Sequence, residues 1–250
     1  MEETKELTAE EISANLAAVR QRIENACKRA GRDPEDVTLI AVSKLKPVGD
    51  VEAAFSAGVR DFGENYVQEL KEKTAFFSER PVYGPIRWHM IGHLQKNKVK
   101  YLIGKTALIH SVDTVSLAEQ IEKEAAKQDA AAEVLLEVNV AREESKWGFS
   151  PEETPDVARE ISALPHVRLL GLMTSAPYTE DPESNRKYFR ELKVLAESLK
   201  EAGLIAESCR VKTPVLSMGM SGDFETAVEE GATMVRVGTS IFGARDYTKR

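Results

Sequence analysis

One alternation constrains this chain more than any other feature. Short apolar, β-branched runs recur along it, and longer stretches with helical spacing separate them. The runs fall at 37–42 ("VTLIAV"), 59–63, 87–92, 107–112, 133–140, 167–173, 214–219 and 233–238. The clearest helical stretch is 183–201, where Phe189, Leu192, Leu195 and Leu199 share a face. Strands that alternate with helices imply a parallel sheet covered by those helices. Eight such units fit a closed (β/α)8 barrel, the TIM barrel. A doubly wound open sheet is the alternative, and it usually carries a glycine-rich first turn. Here the first turn is "SKLKPVGD", which lacks that pattern. An extra helix precedes the first unit. Thr8 and Glu11 have capping-box spacing, Ile12, Leu16, Val19 and Ile23 follow at helical intervals, and Gly31 and Pro34 end it. The expected fold class is therefore α/β, a (β/α)8 barrel with an added N-terminal helix, with residues 1–250 as a single domain.

Composition narrows the function. The formal charge of −7 argues against general affinity for nucleic acid. The basic run "KNKVK" reads as a solvated helix face. No apolar run approaches the roughly 20 residues of a membrane span. The acidic, polar start "MEETKELTAEE" does not read as a signal or transit peptide. Cys27 and Cys209 lie far apart without a metal-ligand pattern and read as buried or half-buried thiols in a reducing compartment. The expected location is the cytoplasm.

In a barrel of this kind the active site forms at the C-terminal ends of the strands. Those ends offer Lys44, Asn65, His89, Asp113, Asn139, Met173, Ser217 to Ser221, and Arg236 to Ser240. The last two units carry the strongest signal. "LSMGMSGDF" and "VRVGTSIF" each run through small residues toward a helix. Such turns let backbone N–H groups approach an anion, and the loops after strands seven and eight are a recurrent phosphate site. Ser221, Gly238 and Thr239 are the candidates.

Lys44 then acquires a use beyond charge. A lysine amine near a phosphate site can form a Schiff base with a carbonyl. That pairing is the minimum equipment for pyridoxal phosphate, and it also suits a Schiff-base aldolase of sugar phosphates. Lys46 shares the strand parity of Lys44, so alternation does not separate them. Depth favours Lys44, which follows the apolar run, whereas Lys46 precedes Pro47 as the chain leaves the strand. Arg236 lies inside the eighth apolar run, where a charge must be paired or functional. It reads either as a partner for a cofactor's pyridine nitrogen or as half of a buried salt bridge. His89 and His93 have the spacing of some zinc ligands but lack an acid in the motif and a clear third ligand, so no metal site is expected. "IGKT" lacks the first glycine of a phosphate-binding P-loop.

The motifs "LIAVSKLKP", "FGENYVQEL", "WHMIGHLQKNK", "SKWGF", "GLMTSAP" and "LSMGMSGDFETAVEEGATMVRVGTSIFGAR" occur in order across nearly the whole chain. In these the chain closely resembles the YggS/PROSC family of pyridoxal phosphate-binding proteins. The resemblance implies the barrel of the alanine racemase N-terminal domain, with Lys44 as the imine lysine and Asn65 near the cofactor. It implies that Ser221, Gly238 and Thr239 hold the phosphate and that Arg236 faces the pyridine nitrogen. Met173 and Ser217, from the strand-end set, complete the expected cofactor-binding residues. Alanine racemase adds a C-terminal β-domain and a tyrosine on the opposite cofactor face. This chain ends at "FGARDYTKR" and shows no obvious second acid–base group. The family is accordingly regarded as non-catalytic. The expected function is pyridoxal phosphate binding in vitamin B6 and amino-acid homeostasis. A monomer is expected, with apo-enzymes that use the cofactor as partners. A minimal amino-acid racemase and the aldolase are the alternatives.

Overall fold

The computed structural model describes residues 7–244. Eight strands close into one parallel barrel in chain order. They are β1 (Thr38–Val42), β2 (Asp61–Glu64), β3 (Arg87–Met90), β4 (Leu108–Val112), β5 (Ala132–Glu137), β6 (Val167–Met173), β7 (Val215–Ser217) and β8 (Met234–Val237). Closure comes from β8 pairing with β1, which sets Ile40 beside Arg236 and Ala41 beside Val237. Apart from β6, which matches its run, each strand is shorter than or offset from its apolar run. The run at 133–140, for example, yields a strand only as far as Glu137, because Asn139 turns toward Phe149 and a loop begins.

The helices are α1 (Ala9–Ala30), α2 (Val48–Ser56), α3 (Val67–Ser78), α4 (Val115–Lys127), α5 (Thr154–Ser162), α6 (Arg186–Glu201), α7 (Phe224–Glu229) and α8 (Thr239–Phe242). The connection after β3 departs from the expected helix. It forms a 3-10 segment, Lys96–Tyr101, whose lysines are solvated while Val99 packs inward. The capping box of α1 forms as expected: the Glu11 N–H donates to Thr8 Oγ1 at 3.2 Å and the Thr8 N–H donates to Glu11 Oε2 at 2.8 Å. Gly31 ends the helix in the left-handed region. α1 buries Ile12, Leu16, Val19 and Ile23 and packs on α2, α7 and α8. Because α8 is a single turn, α1 supplies the cover that the β8–β1 seam would otherwise lack. Cys27 lies buried in α1, whereas Cys209 is exposed, so only the first matches the expected buried thiol.

Two apolar layers result. The larger lies between strands and helices. The smaller fills the barrel and contains Ile40, Leu135, Leu170, Met173, Val215 and Met234. At Gly171 the β5–β6 register shifts, and a Cβ there would lie 2.0 Å from the Val215 carbonyl oxygen. Only glycine lets β6 and β7 approach at this point. Gly171→Ala should therefore lower stability by roughly 3 kcal/mol or more in urea denaturation. Gly49→Ala, which meets no atom within 4 Å, should be neutral or slightly stabilising.

Candidate functional site

The C-terminal mouth of the barrel holds a cavity of about 570 Å³. Lys44, Asn65, Ser221, Arg236, Gly238 and Thr239 all line it. The structure separates the two candidate lysines. Lys44 lines the cavity, whereas the Lys46 ammonium donates to the carbonyls of Phe242 and Ala244 at the end of α8. Met173 and Ser217 are not among the residues that line the cavity. Met173 belongs to the apolar layer inside the barrel, and Ser217 is fully buried beneath Arg236.

The turn that carries Lys44 is braced from α3. Leu45 sits at φ 59°, unusual for a residue with a Cβ, and its N–H donates to Glu69 Oε2 at 2.7 Å. The Lys73 ammonium donates to the Ser43 carbonyl at 2.8 Å and to Glu64 Oε1 at 2.7 Å. The Ser43 hydroxyl donates to the same Glu64 oxygen at 2.6 Å. Glu64 is fully buried, and burial raises its carboxyl above the usual range despite Lys73 and Ser43. Its other oxygen, Oε2, has no partner among the described residues.

The phosphate-type turns owe their small residues to two causes. Gly219 has φ 90°, and a Cβ there would press on Ala227 and Phe224, so this glycine serves helix packing. Ser221 serves the cavity. Its Oγ accepts from the N–H groups of Gly238 and Ser240 at 3.3 and 3.4 Å. These are long contacts from donors that converge on one point. Asp223 shapes the turn by accepting from the Met220 N–H at 2.7 Å and from Asn185 Nδ2 at 2.9 Å.

Arg236 is buried, and no carboxylate is hydrogen-bonded to it among the described residues. Its Nη1 donates to Ser217 Oγ at 2.7 Å and its Nη2 to the Thr174 carbonyl at 2.8 Å. Burial pulls its pKa down to about 10, while Glu137 and Asp223 act in the opposite direction through space. The reading of Arg236 as half of a salt bridge is not what the geometry shows.

A second hollow of about 260 Å³ adjoins the first and shares Asn65, Ile91, Lys146 and Ser175 with it. It contains residues that the sequence reading passed over. Lys146 brings another amine, which donates to the Ser175 carbonyl at 3.1 Å and pairs with Glu143. Trp147 is exposed and stacks on His93 with ring centroids 4.2 Å apart. Glu137 ends β5, across the barrel from β1. Burial, followed by repulsion from Asp113, raises its carboxyl to about 7 against the pull of Arg236 and His93. The only sequence signal for Glu137 was an acid inside an apolar run. His89 and His93 diverge: His89 points into the barrel, and His93 Nδ1 lies 2.8 Å from Asp113 Oδ2. Among the described residues no cluster of His, Cys, Asp or Glu could hold a metal ion.

An amine, a buried guanidinium and a turn with converging donors thus share one cavity, and this donor set suits a phosphorylated aldehyde. Comparison with known proteins agrees. The model of the alanine racemase N-terminal domain matches residues 14–246. The pyridoxal phosphate homeostasis protein of Aquifex aeolicus (strain VF5) is 45% identical, over 93% of this chain and 97% of its own. The chain belongs to the pyridoxal phosphate homeostasis protein family. The Escherichia coli (strain K12) relative of the same name is 40% identical, over 96% of this chain and 99% of its own. Among solved structures, PipY of Synechococcus elongatus PCC7942 with pyridoxal phosphate bound superimposes with a TM-score of 0.77. It is 33% identical and covers 93% of this chain and 100% of its own. The family match and the closed barrel together establish the expected fold.

Two results should follow from the charges around this mouth. Lys73→Met leaves Glu64 buried without its cation. It should cost about 3–5 kcal/mol in denaturation at pH 8, while Arg159→Ala, whose partner Asp156 is exposed, should change nothing measurable. Glu137 gives a pH signature. An unfolded glutamate ionises near 4.3, so between about 4.5 and 7 the folded protein keeps a proton that the unfolded chain has lost. That contribution to stability declines as pH rises through this window and stays lost above it. Glu137→Gln should gain on the wild type between pH 5 and pH 8, by at most about 3 kcal/mol. Parallel stability curves for the two proteins would contradict the assignment.

Proposed function

We propose that this chain is a non-catalytic pyridoxal phosphate-binding protein that serves homeostasis of the cofactor. The observation that carries the reading is the convergence of Lys44, Arg236 and the Ser221–Gly238–Thr239 turns on one cavity. The names of the relatives and the pyridoxal phosphate bound to PipY support it. Lys44 would hold the cofactor's aldehyde through its amine, the Schiff-base chemistry that such a group supplies when bound. Ser221, Gly238 and Thr239 hold the phosphate, with the N–H groups that now converge on Ser221 supplying donors. Asn65 borders the ring. Met173 and Ser217 support this site from below.

When bound, the cofactor supplies an electrophilic carbon and an electron-withdrawing ring. Arg236 would face the ring nitrogen as a donor only and so would leave it unprotonated. The ring is then a weak electron sink, which suits holding an aldehyde better than stabilising a carbanion. The protein works as a monomer in the cytoplasm and delivers the cofactor to apo-enzymes. No helix among the described residues is long and apolar enough to cross a membrane.

One observation favours a second reading. Glu137, titrating near 7 across the barrel from Lys44, resembles the second acid–base group of a racemase. Exchange of the α-hydrogen of amino acids with heavy water, lost in both Lys44→Ala and Glu137→Gln, would establish that activity and overturn the non-catalytic reading. For the main reading, pyridoxal phosphate titrated into the wild type and into Lys46→Ala should give the imine absorption band. Lys44→Ala should give none. Loaded protein should reactivate an apo-enzyme even when a scavenger removes free aldehyde. Reactivation abolished by the scavenger would rule out direct delivery.

A further inference from the structure

A line of buried side chains runs from Arg236 down through the barrel to its opposite end. Ser217 Oγ lies 2.7 Å from Arg236 Nη1 and 2.8 Å from His110 Nδ1. His110 Nε2 lies 2.9 Å from His89 Nδ1, and His89 Nε2 lies 3.0 Å from Asp61 Oδ1. Asp61 also accepts from Arg87 Nε at 2.7 Å. Five strands contribute, and every member from Asp61 to Arg236 is buried. Asp61 and Arg87 open β2 and β3, so the line ends at the N-terminal floor, beside a separate cavity of about 500 Å³.

Its chemistry permits one direction of donation. A guanidinium has no acceptor, so the bond to Ser217 must run from Arg236. The Ser217 hydroxyl meets no other acceptor among the described residues, so its one proton goes to His110 Nδ1. That leaves the His110 proton on Nε2, donated to His89 Nδ1, and the His89 proton on Nε2, donated to Asp61. The far end agrees. Burial alone would raise the Asp61 carboxyl, but the bonds from His89 and Arg87 outweigh it and keep it ionised. Burial, with the Arg236 charge acting in the same direction, holds His110 neutral. In this chain of bonds each imidazole carries its proton on Nε2.

We propose that His110 and His89 are positioning residues for Arg236, transmitting the Asp61 charge to it through Ser217. A buried guanidinium needs electron density nearby. A carboxylate in direct contact would supply it but would also occupy the donors that face the cavity. The relay keeps the anion at the floor and presents a polarised hydroxyl instead. Arg236 thus stays charged and oriented with its cavity face open. The value of that face for cofactor binding rests on the function proposed above.

The test separates the two claims. In cofactor-free wild type, nitrogen-15 NMR should show the proton of each imidazole on Nε2. The Arg236 Nη hydrogens should exchange slowly. In His110→Phe they should exchange at least about tenfold faster, the equivalent of one lost hydrogen bond. Ser217→Ala, which barely alters packing, should do the same and covers the case in which His110→Phe fails to fold. An Nδ1–H tautomer at His110, or unchanged Arg236 exchange in both variants, would overturn the relay whatever binds in the cavity. In a protein that takes up pyridoxal phosphate, His110→Phe should weaken that affinity about tenfold and shift the imine band, with inorganic phosphate affinity unchanged. Equal losses for both ligands would mark a general structural role and overturn the positioning claim. Absence of cofactor binding in wild type would sink the proposed function and, with it, the positioning claim, while the tautomer result would still decide the relay.

Discussion

The pairing of β8 with β1 is the contact on which the site depends. It brings the last strand of the barrel beside the first and sets Arg236 level with Ile40. Lys44 follows four residues after Ile40, so closure carries the amine and the guanidinium into one mouth. An open sheet with the same strands would leave β1 and β8 at opposite edges. The same closure lets α8 begin where β8 ends, which aims the Gly238 and Ser240 N–H groups at Ser221. The seam is covered by α1 rather than by the one-turn α8. The N-terminal helix is thus a working part of the barrel wall.

Charge is handled differently at the two cations of the mouth. The Lys44 turn rests on a buried ion pair, Lys73 with Glu64, which fixes the Ser43 carbonyl and hydroxyl. Such a pair gains little net stability, because desolvation offsets attraction, but it is costly to break on one side. Its use is geometric: it holds a strained turn at Leu45 in place. Arg236 has no such direct partner among the described residues. Its charge is balanced by a carbonyl, a hydroxyl and carboxylates acting through space, which leaves its donors available to a ligand.

Much of this was legible in the sequence, for physical reasons. Alternating apolar strand runs and helical patterns specify strand–helix units, and eight of them fit a closed barrel. Lys44 and Arg236 stood out because a charge next to or inside an apolar run demands an explanation. Strand ends were less legible, since ladders stop where a neighbour stops pairing, as at Glu137. Met173 and Ser217 were assigned to the cofactor because they end strands, yet depth inside the barrel sets them beneath the cavity. The partners Lys73, His110 and Glu137 were missed for one reason. Each acquires meaning from a residue on another strand or helix, and a single sequence carries no record of that contact. His89 and His93 diverge, because four residues across a strand end do not share a face as they would on a helix.

The central claim is that the strand β1 delivers the Lys44 amine to hold an aldehyde. Borohydride reduction of the protein incubated with pyridoxal phosphate, followed by peptide mass mapping, tests it most directly. The account predicts a phosphopyridoxyl group on Lys44, with none on Lys46 or Lys146. An adduct confined to another lysine, or no adduct at saturating cofactor, would contradict it.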